Sequence, residues 1–302
     1  MTPRSHRTAR LRFWRPIARD AADVICGEGT VDELPIHAHE ALQVILPASR
    51  FAVVDATGAD LVVRPGQLHV AAPLELQGVQ GLDGASCAMR VVLIPLAALP
   101  SSSRCWDDAA PGRRQFVAED AMLYAELWAL IGELRGPLVG LSNVTRLLRC
   151  VGRLLAGLVP PSPPRPPSGP AKRARRQTDG VDRVGAHLRA HIAQSLSLDE
   201  LATVAGLSKF YLLRAFRRAY GVTPHAYQRQ LRLAHAWQAI ANGHPLTRAT
   251  YDAGFADQSH LTRQFAALFG VTPARCARQL VAPQVPSAAD GVVARSAPPS
   301  AA

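Results

Sequence analysis

Two groups of side chains in this 302-residue chain are suited to chemistry. The first is His37, His39, Glu40 and His69, three imidazoles and a carboxylate able to ligate a divalent transition metal or hydrogen-bond a small molecule. The second is cationic: Lys209, Arg214, Arg217 and Arg218 fall close together, and Arg263 follows 49 positions after Arg214. A guanidinium is a planar fork of donors, matched to the paired acceptors of a guanine edge or to phosphate oxygens. Other catalytic constellations are missing from the sequence, which has no GxSxG elbow, Walker loop or HExxH helix. Cys26, Cys87, Cys105, Cys150 and Cys276 form no CxxC pair, which argues against a disulfide framework and a zinc ribbon, and Cys26 and Cys87 read as small buried hydrophobes.

The elements that position these groups begin to separate when charge is followed along the chain. The formal charge is +11. Residues 171–281 hold 16 basic and 6 acidic residues, so a net +10 sits in one stretch, the electrostatic footprint of a part that meets polyphosphate. With 48% hydrophobic and 19% charged residues the chain can bury a sizeable core, which excludes a wholly disordered protein. No apolar run reaches the roughly 18–20 residues of a membrane span, and no signal-peptide core is evident. With the scattered cysteines, this predicts a cytoplasmic protein with no membrane partner.

Five segments follow from composition. Residues 1–22 are rich in arginine, with six and no acid in the first nineteen, and are expected to be a flexible arm. Residues 23–159 begin with short apolar runs (LQVIL, FAVVD, DLVVR, AMRVVLI) punctuated by Pro, Gly, Asp and Ser, the pattern of a compact β unit. Two helical patterns complete the segment, Phe116 to Leu134 and Leu141 to Leu158. The second carries a stripe of Leu147, Leu148, Val151, Leu154, Leu155 and Leu158 that must pack on the β unit or on a second copy. Residues 160–178 are a linker, with seven prolines in 160–170 followed by KRARR. Residues 179–281 form an all-helical domain, and 282–302, rich in Ala, Pro and Ser, are expected to be a disordered tail.

The helical segment contains an internal repeat. AGLSKFYLLRAFRRAYGVTP (Ala205 to Pro224) aligns with AGFADQSHLTRQFAALFGVTP (Ala253 to Pro273), and Leu212, Arg214, Phe216 and the GVTP turn recur 49 residues later. Each copy has helix-turn-helix logic: a short helix, a permissive glycine at Gly206 or Gly254, a cap at Ser208 or at Asp257 or Ser259, and a second helix. Leu212 and Phe216 read as core, leaving Lys209, Arg214, Arg217 and Arg218 to project. Between the copies, Tyr227 to Ala241 is a proline-free run of about 22 Å, long enough to hold two such helices near one DNA turn apart.

At these residues, over about Leu198 to Gln279, the sequence resembles the AraC/XylS family of bacterial transcription regulators. The resemblance implies two helix-turn-helix units in adjacent major grooves of promoter DNA, contact with RNA polymerase, and commonly an N-terminal cupin-like domain that senses a small molecule or forms a homodimer. It places base-reading positions at Phe210, Leu213 and Arg214 in the first unit and at Gln258, Ser259, His260 and Arg263 in the second, with Tyr211 and Thr262 beside them. Leu213 departs from relatives that carry a polar reader, and suits a thymine methyl or the backbone. Lys209, Arg217 and Arg218 suit phosphates.

HxHE at His37 to Glu40, with RPGQLHVAAP carrying His69, is similar to the start of a cupin motif. The later histidine of that motif is replaced by Glu75 and Gln77, so the reading is a receptor with no metal and no cofactor, whose pocket of about 300 Å³ or more is lined by His37, His39, Glu40 and His69. The expected fold is α+β in two domains: a cupin-like β domain with a helical pair, then an all-α domain with two helix-turn-helix motifs. The expected function is a non-enzymatic, effector-responsive transcription regulator. A metal-dependent cupin enzyme fused to a DNA-binding module, and a DNA-binding protein needing no effector, are the alternatives.

Overall fold

The computed structural model describes residues 9–16, 23–55, 58, 60–99, 114–136, 139–158 and 171–281. The β unit is two antiparallel sheets. One has the order β1 (Ala9–Trp14), β2 (Ile25–Val31), β9 (Cys87–Pro95), β4 (Ala41–Pro47), β7 (Gln67–Ala71), β10 (Gln115–Glu119). The other runs β3 (Glu33–His37), β8 (Gln77–Gly81), β5 (Phe51–Asp55), β6 (Asp60–Val63). Two of the apolar runs seen in the sequence, LQVIL and AMRVVLI, are strands buried on both faces, whereas DLVVR forms the exposed edge strand β6. In β4, Ala41 and Ile45 enter the core between the sheets, while Leu42, Val44 and Leu46 pack beneath helices. β9 repeats this with Met89, Val91 and Leu93 inside and Val92 and Ile94 outside, as period-two side-chain alternation requires.

Those covering helices are α1 (Ala121–Glu133) and α2 (Leu141–Gly157). The expected helix from Phe116 begins later, because residues 115–119 pair with β7 as a strand and Asp120 then caps α1, accepting from the Leu123 backbone N–H at 2.9 Å. The apolar stripe of α2 is satisfied within the chain: Leu147, Val151, Leu154 and Leu155 are buried against α1 and the six-stranded sheet, with Leu148 packed at the margin. Arg146 and Arg153 lie outside and pair with Glu133 and Glu126 of α1 at 3.5 and 3.0 Å.

The C-terminal domain consists of α3 (Ala171–Ala190), α4 (Leu198–Ala205), α5 (Lys209–Tyr220), α6 (Pro224–Ala241), α7 (Leu246–Asp252), α8 (Gln258–Phe269) and α9 (Pro273–Val281). Helix α4 starts in a capping box in which Ser197 and Glu200 satisfy each other's backbone N–H groups. It ends at Gly206, whose φ of +66° is the left-handed turn the sequence predicts. Helix α6 is 18 residues long, started by the Thr223 cap and Pro224 at its first turn.

Two boundaries differ from expectation. The supposed flexible arm, residues 1–22, contributes β1: Ala9, Leu11, Phe13 and Trp14 are buried while Arg10 is exposed and Arg12 half-buried, an in-out alternation that the density of arginines obscured. The supposed linker, residues 160–178, is helical from Ala171, so KRARR belongs to α3. Residues 160–170 and the tail 282–302 lie outside the described residues.

The two domains share a core. Phe13, Ile25, Ile45, Phe51 and Val91 of the β unit join Trp237, Phe265, Phe269 and Leu280 of the helices in one hydrophobic cluster. Polar bonds cross the same junction: the Phe13 N–H donates to Gln279 Oε1 at 3.2 Å, Gln230 Nε2 to the Ile36 carbonyl at 2.9 Å, and an Arg15 Nη to the Ala241 carbonyl at 2.8 Å. Among the described residues, no helix is long and apolar enough to cross a membrane.

Candidate nucleic-acid interface and interdomain cavity

Helices α5 and α8 each bury one face and expose another. In α5, Leu212, Phe216 and Tyr220 are buried in the first module. Phe210, Leu213, Arg214 and Arg217 fall within an arc of about 100° on a different side. Phe210 is 81% exposed, an expensive orientation for a phenyl ring that has no surface to cover. Arg214, Arg217 and Arg218 are exposed and, among the described residues, have no ion-pair partner; Tyr211 flanks them, exposed. Lys209 differs, because its ammonium stands 2.8 Å from Asp199 of α4. In α8, Leu261, Phe265, Leu268 and Phe269 are buried, and Ser259 and Arg263 are exposed beside the half-buried Thr262.

Two sequence-derived readers are already occupied. Gln258 donates from Nε2 to Thr247 Oγ1 at 2.8 Å, which ties α8 to α7. The His260 ring turns to one flank of α8, edge-on to Phe255 at 5.5 Å between centroids and 2.5 Å from Gln264. Helical geometry puts His260 about 100° from Ser259 and about 60° from Arg263, on the flank shared with Gln264 rather than at the centre of the exposed face.

The four residues expected to line one pocket are not brought together. His37 and His39 do meet, with ring centroids 5.1 Å apart. Glu40 faces α6, where Oε1 stands 3.1 Å from His235 Nδ1. His69 is fully buried on β7 with Nε2 3.2 Å from Gln115 Oε1. Among the described residues, no group of three or more His, Cys, Asp or Glu side chains is arranged to hold a metal ion.

His37 and His39 instead line a small cavity of about 20 Å³ in the mouth of the β unit, with Leu11, Phe13, Gln43, Ile45, Met89 and Phe269 among its other walls. The cavity is far smaller than the expected pocket of about 300 Å³ or more, and Phe13, Met89 and Phe269 are its bulkiest apolar walls. Burial lowers the imidazole pKa of both His37 and His39, and that of His69 to about 4, so all three are neutral near pH 7. His235 moves the other way, raised by its hydrogen bond to Glu40. Sequence reasoning missed Gln43, Trp237 and Phe269 at this junction. Gln43 left a trace, a lone amide in the apolar run LQVIL, where it now bonds Gln77. Trp237 and Phe269 left none, since each looks like an ordinary helix-core residue.

The helical domain is similar to known proteins in sequence. Residues 201–279 match the family described as Helix-turn-helix domain. Along 234 residues, 78% of this chain and 83% of the relative, the sequence is 23% identical to the HTH-type transcriptional regulator YbfI of Bacillus subtilis. Residues 201–279 are thus a helix-turn-helix domain, as the resemblance to AraC/XylS regulators implies. A second relative matches over a shorter stretch: the MmsAB operon regulatory protein of Pseudomonas aeruginosa is 27% identical over 94 residues, 31% of each chain. The match thus spans most of YbfI and about a third of the second relative. The fold of both domains is similar to that of the crystal structure of unsaturated fatty acid bound wild-type ToxT from Vibrio cholerae, with a TM-score of 0.52, 9% identity, and coverage of 93% of this chain and 98% of that one. The architecture is therefore α+β, a cupin-like β domain followed by the helix-turn-helix domain, and the protein is a DNA-binding transcription regulator.

Proposed function

We propose that the chain is an effector-responsive regulator in which residues 179–281 bind promoter DNA and residues 23–159 form the receptor. The observation that carries the first half is the exposed cationic face of α5, with Arg214, Arg217 and Arg218, matched by Arg263 on α8. Arg214 and Arg263 sit at equivalent points of the repeat, and each reads guanine through its paired donors. Phe210, Leu213 and Tyr211 make apolar and stacking contacts beside Arg214, while Ser259 and Thr262 flank Arg263. Arg217 and Arg218 hold phosphates. Lys209 joins them once its exposed pair with Asp199 exchanges for a phosphate, a small loss for a surface ion pair. Gln258 and His260 act as supports of the second helix rather than as readers.

The receptor half rests on the cavity between the β unit and α8, and on the likeness of fold to ToxT, whose structure holds a fatty acid. The activity is regulation in the cytoplasm, without catalysis, through RNA polymerase. A homodimer would have to use a surface other than the α2 stripe, which is consumed within the chain.

Fluorescence anisotropy of the full chain on its own upstream region and on a scrambled duplex, across a salt series, tests the DNA reading. Tighter binding to the genuine site at physiological salt is expected. Equal, steeply salt-dependent binding to both duplexes would reduce the chain to a non-specific DNA coat.

A further inference from the structure

We propose that the mouth of the β unit is a receptor site for an uncharged, mainly apolar small molecule, which takes the place of the Phe269 ring and thereby releases α8 and α9 from the β domain. The inference rests on the receptor reading above and adds the ligand's chemistry and the direction of its effect.

The chemistry follows from the walls. Twelve side chains line the cavity and none is Lys, Arg, Asp or Glu; the polar ones are His37, His39 and Gln43. A buried carboxylate or ammonium would find no countercharge there, and an unpaired charge taken from water into such a site is strongly disfavoured. His37 Nδ1 lies 2.8 Å from the Pro35 carbonyl, so that nitrogen carries the proton and Nε2 is left as an acceptor. His39 Nδ1 is buried with no hydrogen-bond partner, as is Nε1 of Trp237, whose ring meets His39 at 5.0 Å. These unsatisfied groups suit a hydroxyl or carbonyl on an otherwise apolar ligand.

The direction follows from the space. A cavity of about 20 Å³ holds one water molecule, not an effector. Eleven of the twelve walls belong to the β domain; the exception is Phe269, whose ring lies 5.7 Å from His37 and 5.5 Å from His39. In the repeat, Phe269 corresponds to Tyr220: Tyr220 stacks on Phe216 at 4.2 Å, and Phe269 keeps the equivalent contact with Phe265 at 4.7 Å while also reaching the two histidines of the β domain. Phe269 thus bridges its own module and the sensor. A ligand the size of an aromatic ring and the Phe269 ring compete for one volume, so ligand binding favours the undocked arrangement by the difference in its affinity for the two.

The test uses the full-length protein and the neutral fluorophore N-phenyl-1-naphthylamine, displaced by either 1-octanol or octanoate at pH 7.5. We expect octanol to compete about tenfold or more better than octanoate, as the missing countercharge requires. Hydrogen exchange should rise in residues 258–281 and in β1 when octanol is bound. Phe269→Leu should bind the fluorophore several-fold more tightly, since part of the plug is already gone. Octanoate competing as well as octanol would overturn the ligand class and leave the receptor reading standing. Slower exchange in α8 and α9 on octanol binding would overturn release in favour of locking. No fluorophore binding by either protein would remove the receptor reading as well.

Discussion

His235 Nδ1 on α6 and Glu40 Oε1 on the β unit stand 3.1 Å apart, a titratable hydrogen bond laid across the junction of the two domains. A few residues away the same junction buries His37 and His39 against Trp237 and Phe269. One imidazole therefore favours the proton and two disfavour it at one interface.

This arrangement predicts a stability maximum near neutral pH. His235 has a raised pKa, so its contribution is complete below the ordinary value of 6.5 and fades as pH rises through the raised value. His37, His39 and His69 have lowered values; what they contribute is present above 6.5 and is lost as pH falls toward their folded values, about 4 for His69. Melting temperatures measured from pH 5 to 8.5 should fall on both sides, more steeply on the acid side. His235→Gln should flatten the alkaline limb alone, and an unchanged alkaline limb in that variant would break the assignment.

For the reading helices, Arg214→Ala or Arg263→Ala should cost about 1–3 kcal/mol on the cognate site and relax base preference there, whereas Arg218→Ala should weaken all duplexes alike and lower the salt slope by about 1. His260→Ala, by contrast, should leave base preference unchanged, because its ring faces Phe255 and Gln264. A changed preference in His260→Ala, read by the same anisotropy titrations, would mean that α8 presents a different face to DNA.

The two turns of the repeat should respond unequally to a methyl group. At Gly206 an added Cβ meets nothing within 4 Å, so Gly206→Ala pays only the left-handed backbone, about 1–2 kcal/mol. At Gly254, also left-handed at φ +76°, the Cβ would lie 2.6 Å from Ala193 Cα and 2.7 Å from its carbonyl oxygen. Gly254→Ala should therefore be the more destabilising of the pair in urea denaturation, and equal midpoints would contradict the packing of α7 and α8 against Ala193.

Phe13 is buried on β1 and meets Trp237 edge-on at 5.9 Å. Phe13→Ala should cost about 3–5 kcal/mol, the range for truncating a buried phenylalanine. Protease cleavage at the junction should accelerate in the same variant, since β1 bonds the β unit and α9 at once. A wild-type cleavage pattern would show that the N-terminal strand does not hold the domains together.

Much of this was legible in the sequence where the signal is local. The helix-turn-helix units announced themselves through capping residues, turn glycines and a repeat whose copies differ by one residue. The doubly buried strands β4 and β9 read as strands because β-branched and aliphatic runs of that length between turn residues fit little else. What escaped was set by partners distant in sequence. ARLRFW alternates as a strand should, but six residues with two arginines in an arginine-rich segment look like a tail until β2 is there to pair with them. The strand at 115–119 was absorbed into the helix after it, although Asp120 marks the true start. The four pocket residues share a motif in sequence, yet Glu40 answers to His235 and His69 to Gln115, partners 195 and 46 positions away.

Helix α8 has the exposed Ser259 and Arg263 toward one end and Phe269 at the other, and its sequence QSHLTRQFAALF contains neither glycine nor proline. From Ser259 to Phe269 is ten residues, about 15 Å of unbroken hydrogen-bonded rod. Such a rod is a lever: a shift at Phe269 would be carried to Ser259 and Arg263 without any relay of side chains to dissipate it. Under the reading proposed above, sensitivity to a new molecule would change by reshaping the cavity walls alone, because the connection from cavity to duplex would lie inside a single helix.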